Sequence, residues 1–250
     1  MALEGRDASG RWAPLAQEPH AFGASSYLAG DAPRTVSALR LLARAGTAPS
    51  VTRVRVLGPQ AVMTPMKRYQ LAAAGPEAAL FPSSLQMKQV YWTVVGVPAG
   101  RQKAVFDEYG NLEAFKGAPL VRPVWRDAGG KAAAATVDTP IRHALREGWM
   151  PMPQVQWTAQ PGLELTSQAI ALEHDGAPVV LVRHRLRNTG TTAVDGTLSL
   201  LTRPLQVSPP WQNGGLSPIR DIAVETGRGS AGVRVNGRLL FQSASAPDLH

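Results

Sequence analysis

The sequence predicts an all-β fold of antiparallel sandwiches with few short helices, on three observations. Apolar residues recur with period two, the period of strands. Glycine (24) and proline (21) are frequent among the 250 residues, which cuts the chain into short elements separated by turns. Helix signals are confined to two short stretches.

Each element follows from local text. Residues 39–42 form a short strand. Residues 51–57 alternate apolar and basic side chains and stop at Gly58-Pro59. Residues 91–97 are rich in β-branched and aromatic residues and stop at Pro98. A long strand from 163 meets His174-Asp175-Gly176, where Asp-Gly signals a hairpin, and 178–186 is the returning strand. Asn188-Thr189-Gly190 turns again, and Asp195-Gly196 opens a strand over 197–201. Asn236-Gly237 predicts a type I′ hairpin between 233–235 and 238–241. The two helix expectations are 66–74, stopped by Gly75-Pro76, and 139–146, with Thr139 as N-cap and Pro140 at the first helical position. Lys131 and the four alanines after it read as a loop.

Four X-Pro or Gly-Pro pairs punctuate 58–86: Gly58-Pro59, Thr64-Pro65, Gly75-Pro76 and Phe81-Pro82. A proline-rich linker with a short helix is therefore expected there, between a β segment 1–57 and a longer β domain 87–250. A four-stranded sheet the size of the first segment has little to pack against. It either docks on the second domain or is part of a sandwich, and an undocked sheet predicts self-association through its exposed edge.

Composition excludes several classes. The apolar share is 44% and the charged share 18%, which excludes a wholly disordered chain. No run approaches ~20 uninterrupted apolar residues, so no membrane partner is expected through a spanning helix. Without cysteine there is no disulfide, thiolate metal site or cysteine nucleophile. The polar start Met1-Ala2-Leu3-Glu4-Gly5-Arg6-Asp7 is not a signal peptide. The net charge of +8 invites a nucleic-acid reading, but the excess is spread evenly, +4 in 1–85 and +4 in 86–250. The one local cluster, Arg183, Arg185 and Arg187, has the spacing of one solvent face of a strand. No nucleic-acid partner is expected.

Short runs resemble two known families. Gly10-Arg11-Trp12-Ala13-Pro14-Leu15, Ser26-Tyr27-Leu28, Arg34 through Leu39-Arg40-Leu41, and Val51-Thr52-Arg53-Val54-Arg55-Val56 resemble the second half of a discoidin domain, the coagulation factor 5/8 type C module. Arg53 stands where that family often has an acid. The resemblance implies a partial discoidin-like sandwich over 1–57 that begins inside the domain. Tyr91-Trp92-Thr93-Val94-Val95-Gly96, Asp107 through Glu113, Lys116-Gly117, and Arg203 through Gln212 resemble the β-supersandwich of bacterial carbohydrate-active proteins related to six-hairpin glycosidases and sugar phosphorylases. In such proteins a helical toroid follows and carries the catalytic carboxylates. The pattern here is still β at His250. The resemblance therefore implies a non-catalytic carbohydrate-binding or accessory piece of a larger glycan-active protein. Its partners would be a polysaccharide and the downstream helical catalytic domain of a parent, and it would be exported or at the cell surface.

Glycoside hydrolysis needs two carboxylates facing one sugar. Asp107 and Glu108 are neighbours and on a strand would point to opposite faces. A free-standing hydrolase or lyase would draw on Asp107, Glu108, Glu147 or Glu164 with a basic residue such as Arg146, and a structural module without a small ligand is a third reading. His20, His143, His174, His184 and His250 show no zinc spacing, so no metal or other cofactor is expected. No Walker loop, GxSxG or GxGxxG opens a helix. Tryptophan (6) outnumbers phenylalanine (5). An indole offers a flat apolar face and an N–H, which suits a sugar ring. Trp149 and Trp211 sit in proline-rich loop text, so Trp149 and the run Trp211, Gln212, Asn213 are the candidate carbohydrate-binding residues. Trp12, Trp92 and Trp157 sit in strand text and are expected in the core.

Overall fold

The computed structural model describes residues 1–17, 28, 30, 34–42, 51–56, 64–75, 78–227 and 230–243. The chain is divided into two compact units, Met1–Ala78 and Ala79–His250. It is all-β, and every strand pair is antiparallel.

In the first unit, β1 (Ala2–Arg6) lies between β2 (Trp12–Gln17) and β3 (Ala38–Leu42). Asp7 builds the β1–β2 turn by accepting from the backbone N–H of Ser9 (2.9 Å) and Arg11 (3.0 Å). Arg40 links all three strands. It donates to Glu4 at 2.6 Å, and its guanidinium lies 4.5 Å from the Trp12 ring centre. Trp12 is thus half-buried under a cation rather than in a core. Residues 51–56, expected as a strand, are exposed throughout and join no sheet among the described residues. Alternation selects a strand only where one face finds a partner layer, and here neither the valines nor the arginines do. Expectations on Ser26, Tyr27 and His20 lie outside the described residues, as does His250. The helix expected over 66–74 is present as α1 (Pro65–Ala73); Thr64 caps it by accepting from Lys67 N–H at 3.2 Å.

The second unit contains β4 (Trp92–Val95), β5 (Ala104–Asp107), β6 (Leu112–Glu113), β7 (Leu120–Asp127), β8 (Ala132–Ala133), β9 (Ile141–Leu145), β10 (Pro153–Gln160), β11 (Leu163–His174), β12 (Ala177–Asn188), β13 (Gly196–Arg203), β14 (Ile222–Gly227), β15 (Ser230–Val235) and β16 (Arg238–Ser243). One sheet runs β13-β7-β6-β5-β4 with β8 beside β7. A second runs β12-β11-β10-β9, and a third β14-β15-β16. The first two pack face to face. Val95, Ala104, Phe106, Leu112, Val121 and Trp125 from one meet Val155, Trp157, Ala159, Leu163, Leu165 and Ala169 from the other, and Val235 and Leu240 of the third sheet join the same core.

Both two-residue turns have the expected chemistry. Asp175 and Gly176 have φ of 50° and 72°, and Asn236 and Gly237 have 51° and 75°, the left-handed pair a type I′ turn requires. Two expectations fail. The helix expected over 139–146 is strand β9, because Ile141–Leu145 pairs residue for residue with Trp157–Pro153. Thr139 turns its hydroxyl to Thr136 N–H (2.9 Å) instead of capping a helix. In the alanine run read as a loop, Ala132 and Ala133 pair with β7. No helix among the described residues is long and apolar enough to cross a membrane.

Candidate functional site

The site rests on a buried polar scaffold. Asp107 ends β5, and its Oδ1 accepts from the backbone N–H of Tyr109 (2.9 Å) and Asn111 (2.8 Å). Its Oδ2 accepts from Asn111 Nδ2 at 2.7 Å. Asn111 in turn accepts at Oδ1 from Arg122 Nη1 (3.1 Å), so an asparagine bridges a buried carboxylate and a buried guanidinium. Arg122 also donates to the carbonyls of Ala79 (3.2 Å) and Ala135 (2.6 Å), tying two loops to β7. Burial pushes the Asp107 carboxyl up to about 6, against the hydrogen bonds of Asn111 and Tyr109 and the charge of Arg122. Burial likewise brings Arg122 down to about 10, so it is still a cation at neutral pH. Asp107 spends its oxygens holding a turn, and Glu108 accepts from Tyr91 N–H at 3.2 Å.

Exposed aromatic residues lie near the edge of the same sheet, where Trp92 pairs with Asp107. Val95, Ala104 and Phe106 enter the core, so Trp92, Val94, Val105 and Asp107 face the other side of that sheet. The middle of that side is covered by Val90 and Val207, which pack with Leu120 and Val105. Glu113 staples the loop after β13 onto it, accepting from Gln206 Nε2 (3.0 Å), Val207 N–H (3.2 Å) and Gly117 N–H (2.8 Å). Gln212 then acts as an extra backbone unit: its Nε2 donates to Val90 C=O (3.1 Å) and its Oε1 accepts from Val90 N–H (3.3 Å). The clamp joins the loop of Trp211, 47% exposed, to Val90, which is followed by Tyr91, 63% exposed, and Trp92, 36% exposed. Asn213 follows in the left-handed conformation (φ 63°) and lets the loop turn back.

The sequence-derived candidates fall in two places. Trp211, Gln212 and Asn213 occupy one turn, with Trp211 outward and Gln212 and Asn213 building the turn. Trp149 lies in the β9–β10 connection of the four-stranded sheet, 71% exposed, after Glu147 and Gly148 with φ of 53° and 77°. Trp157 is core, as expected, but Trp92 is not: β4 ends its sheet, so the ring has strand neighbours on one side only. Tyr91 and Trp92 are the contributors that sequence reasoning passed over, because strand text does not say which strand is an edge.

The acids weighed as catalysts do not converge on one sugar-sized space. Asp107 is inside, Glu108 holds β4, Glu147 is exposed beside Arg146 (3.8 Å), and Glu164 accepts from Gln156 on the outer face of the other sheet. His143 bonds the Glu108 carbonyl (2.8 Å), His184 bonds Ser167 (2.8 Å), and His174 lies 3.6 Å from Asp175. Among the described residues no three metal-ligating side chains cluster.

The chain matches no family model, no curated protein and no solved structure.

Proposed function

We propose that this protein is a non-catalytic carbohydrate-binding unit, an accessory to a larger glycan-active protein. The observation that carries the reading is the exposure of Trp211, Tyr91 and Trp92 on two chain segments that Gln212 joins at Val90. Large exposed apolar side chains brought to one region mark a contact site, and here bonds from Glu113 and Gln212 fix the loop that carries Trp211. Indole and phenol rings supply flat apolar faces for sugar C–H groups, with N–H and O–H groups at their edges for hydroxyls. The resemblance of 203–212 to supersandwich proteins supports the same reading. Asp107, the buried acid in the resembling text, is occupied by a turn, which supports binding over bond cleavage.

Affinity electrophoresis of the whole protein through a panel of neutral polysaccharides tests it. Retardation by at least one of them is expected, weakened about tenfold in Trp211→Ala. A well-folded sample that no polysaccharide retards, or retardation indifferent to Trp211 and Tyr91 substitutions, would sink the reading.

A further inference from the structure

The outer face of the four-stranded sheet is organised around arginine. Val155, Trp157, Leu165 and Ala169 go to the core, so the alternate residues of β9 to β12 form the opposite face. Register sets them in rows. Arg142, Gln156, Thr166 and Arg185 stand side by side across the four strands, as do Ala144, Gln154, Gln168 and Arg183; Thr158, Glu164 and Arg187 make a third row. The two central strands thus carry amides and hydroxyls, and the outer strands carry guanidinium groups. Arg142 and Arg185 are three strand spacings apart, roughly 14 Å. Arg183, Arg185 and Arg187 follow one another at about 7 Å.

All four arginines are exposed, and none has a carboxylate partner among the described residues. The one acid on this face, Glu164, accepts instead from Gln156 Nε2 at 3.0 Å. Gln168, 5% exposed on a central strand of this face, accepts from Arg183 Nη2 at 3.1 Å, and its own Nε2 has no partner. Four cations without counter-ions above an amide floor are a surface for an anion that also carries hydroxyls.

We infer that this face binds a polyuronate chain lying along the strands, its carboxylates on the arginines and its hydroxyls on Gln154, Gln156, Thr166 and Gln168. Guanidinium is the group that pairs with a planar carboxylate in two parallel hydrogen bonds. Single-stranded nucleic acid is disfavoured because its binding surfaces stack bases on aromatic rings, and the three rows contain no aromatic residue. This surface lies on a different sheet from Trp211 and goes beyond the aromatic reading.

The test is electrophoresis of the whole protein through polygalacturonate, with an oligothymidylate as competitor, in about 0.05 M and about 0.5 M NaCl. We expect retardation at low salt that falls at least about tenfold at high salt. The double variant Arg142→Gln/Arg185→Gln should lose at least about tenfold with an unchanged melting temperature, because neither side chain makes an internal bond. Trp211→Ala should leave polygalacturonate retardation intact, so the two surfaces fail or stand separately. No retardation, retardation indifferent to the arginine substitutions, or loss caused by Trp211→Ala would each overturn the inference. So would an oligothymidylate that displaces the protein as well as the polyuronate itself does.

Discussion

Arg122 sits inside the run Leu120-Val121-Arg122-Pro123-Val124-Trp125 at 1% exposure, a position where a cation survives only with every donor used. Arg122→Met removes the donors to Ala79, Asn111 and Ala135 and leaves Asp107 buried without the Arg122 charge beside it. A loss of about 3–5 kcal/mol in urea unfolding is expected. Asp107→Asn in the same chain should recover part of it, since the uncompensated charge goes too; a double variant no better than the single would contradict this. Two titrating groups then act in opposite directions. Asp107 ionises near 6 when folded against 3.8 for a free carboxyl. The folded state holds that proton more tightly, so this contribution is full below about pH 4 and declines as pH rises to 6. His184 is brought down by burial to about 4 from 6.5, so its contribution is full above 6.5 and is lost as pH falls toward 4. Between these limits the two offset each other. We expect a nearly level urea midpoint from about pH 4.5 to about pH 6 in the natural protein. His184→Gln should decline across that range and Asp107→Asn should climb, each by on the order of 1–3 kcal/mol. Parallel profiles in both variants would refute the assignment.

At the scale of elements, the loop that presents Trp211 is sensitive to a single methyl group. A Cβ on Gly214 would collide with the Ser208 carbonyl and side chain, and the backbone there is already fixed by Gly215 N–H to Ser208 C=O at 2.9 Å. Gly214→Ala should cost roughly 1–3 kcal/mol by thermal melting and weaken glycan retardation with it. A variant as stable as the natural protein would show that the loop yields. The contrast between the turns and residues 139–146 explains which elements were legible. Asp175-Gly176 and Asn236-Gly237 were legible because a left-handed pair is a local requirement, met by the residues themselves. Thr139-Pro140 is an equally good local helix start, but five backbone-paired positions against β10 outweigh one cap and one proline. Trp92 was misplaced for a related reason: β-propensity describes a residue that suits a pleated surface, not whether a layer lies above it.

At the scale of the molecule, each unit carries its own liability. In the first, Leu39, Leu41 and Leu42 are 39%, 38% and 40% exposed on a strand that is, among the described residues, an edge of a three-stranded sheet. Such an edge invites pairing with a second copy. Concentration-dependent association in sedimentation velocity is expected, and reduced by Leu41→Lys; a monodisperse natural protein at high concentration would count against it. In the second unit the two large sheets solve the burial problem by covering one another, and the loops over the outer side of the β4–β8 sheet add a small second core around Val90, Leu120 and Val207. What the sequence determined by itself was the β class, the long β11–β12 hairpin and its tight turn, helix α1, and the alternation that puts three arginines on one side of a strand. These depend on interactions within a few residues. Burial of Arg122 and Asp107, exposure of Trp92, the Gln212 clamp on Val90, 122 residues away, and the alignment of Arg142 opposite Arg185 were decided only by tertiary structure. Each depends on which strands become neighbours, and pairing between distant segments is set by the free energy of the whole packed core rather than by the chemistry of any one segment.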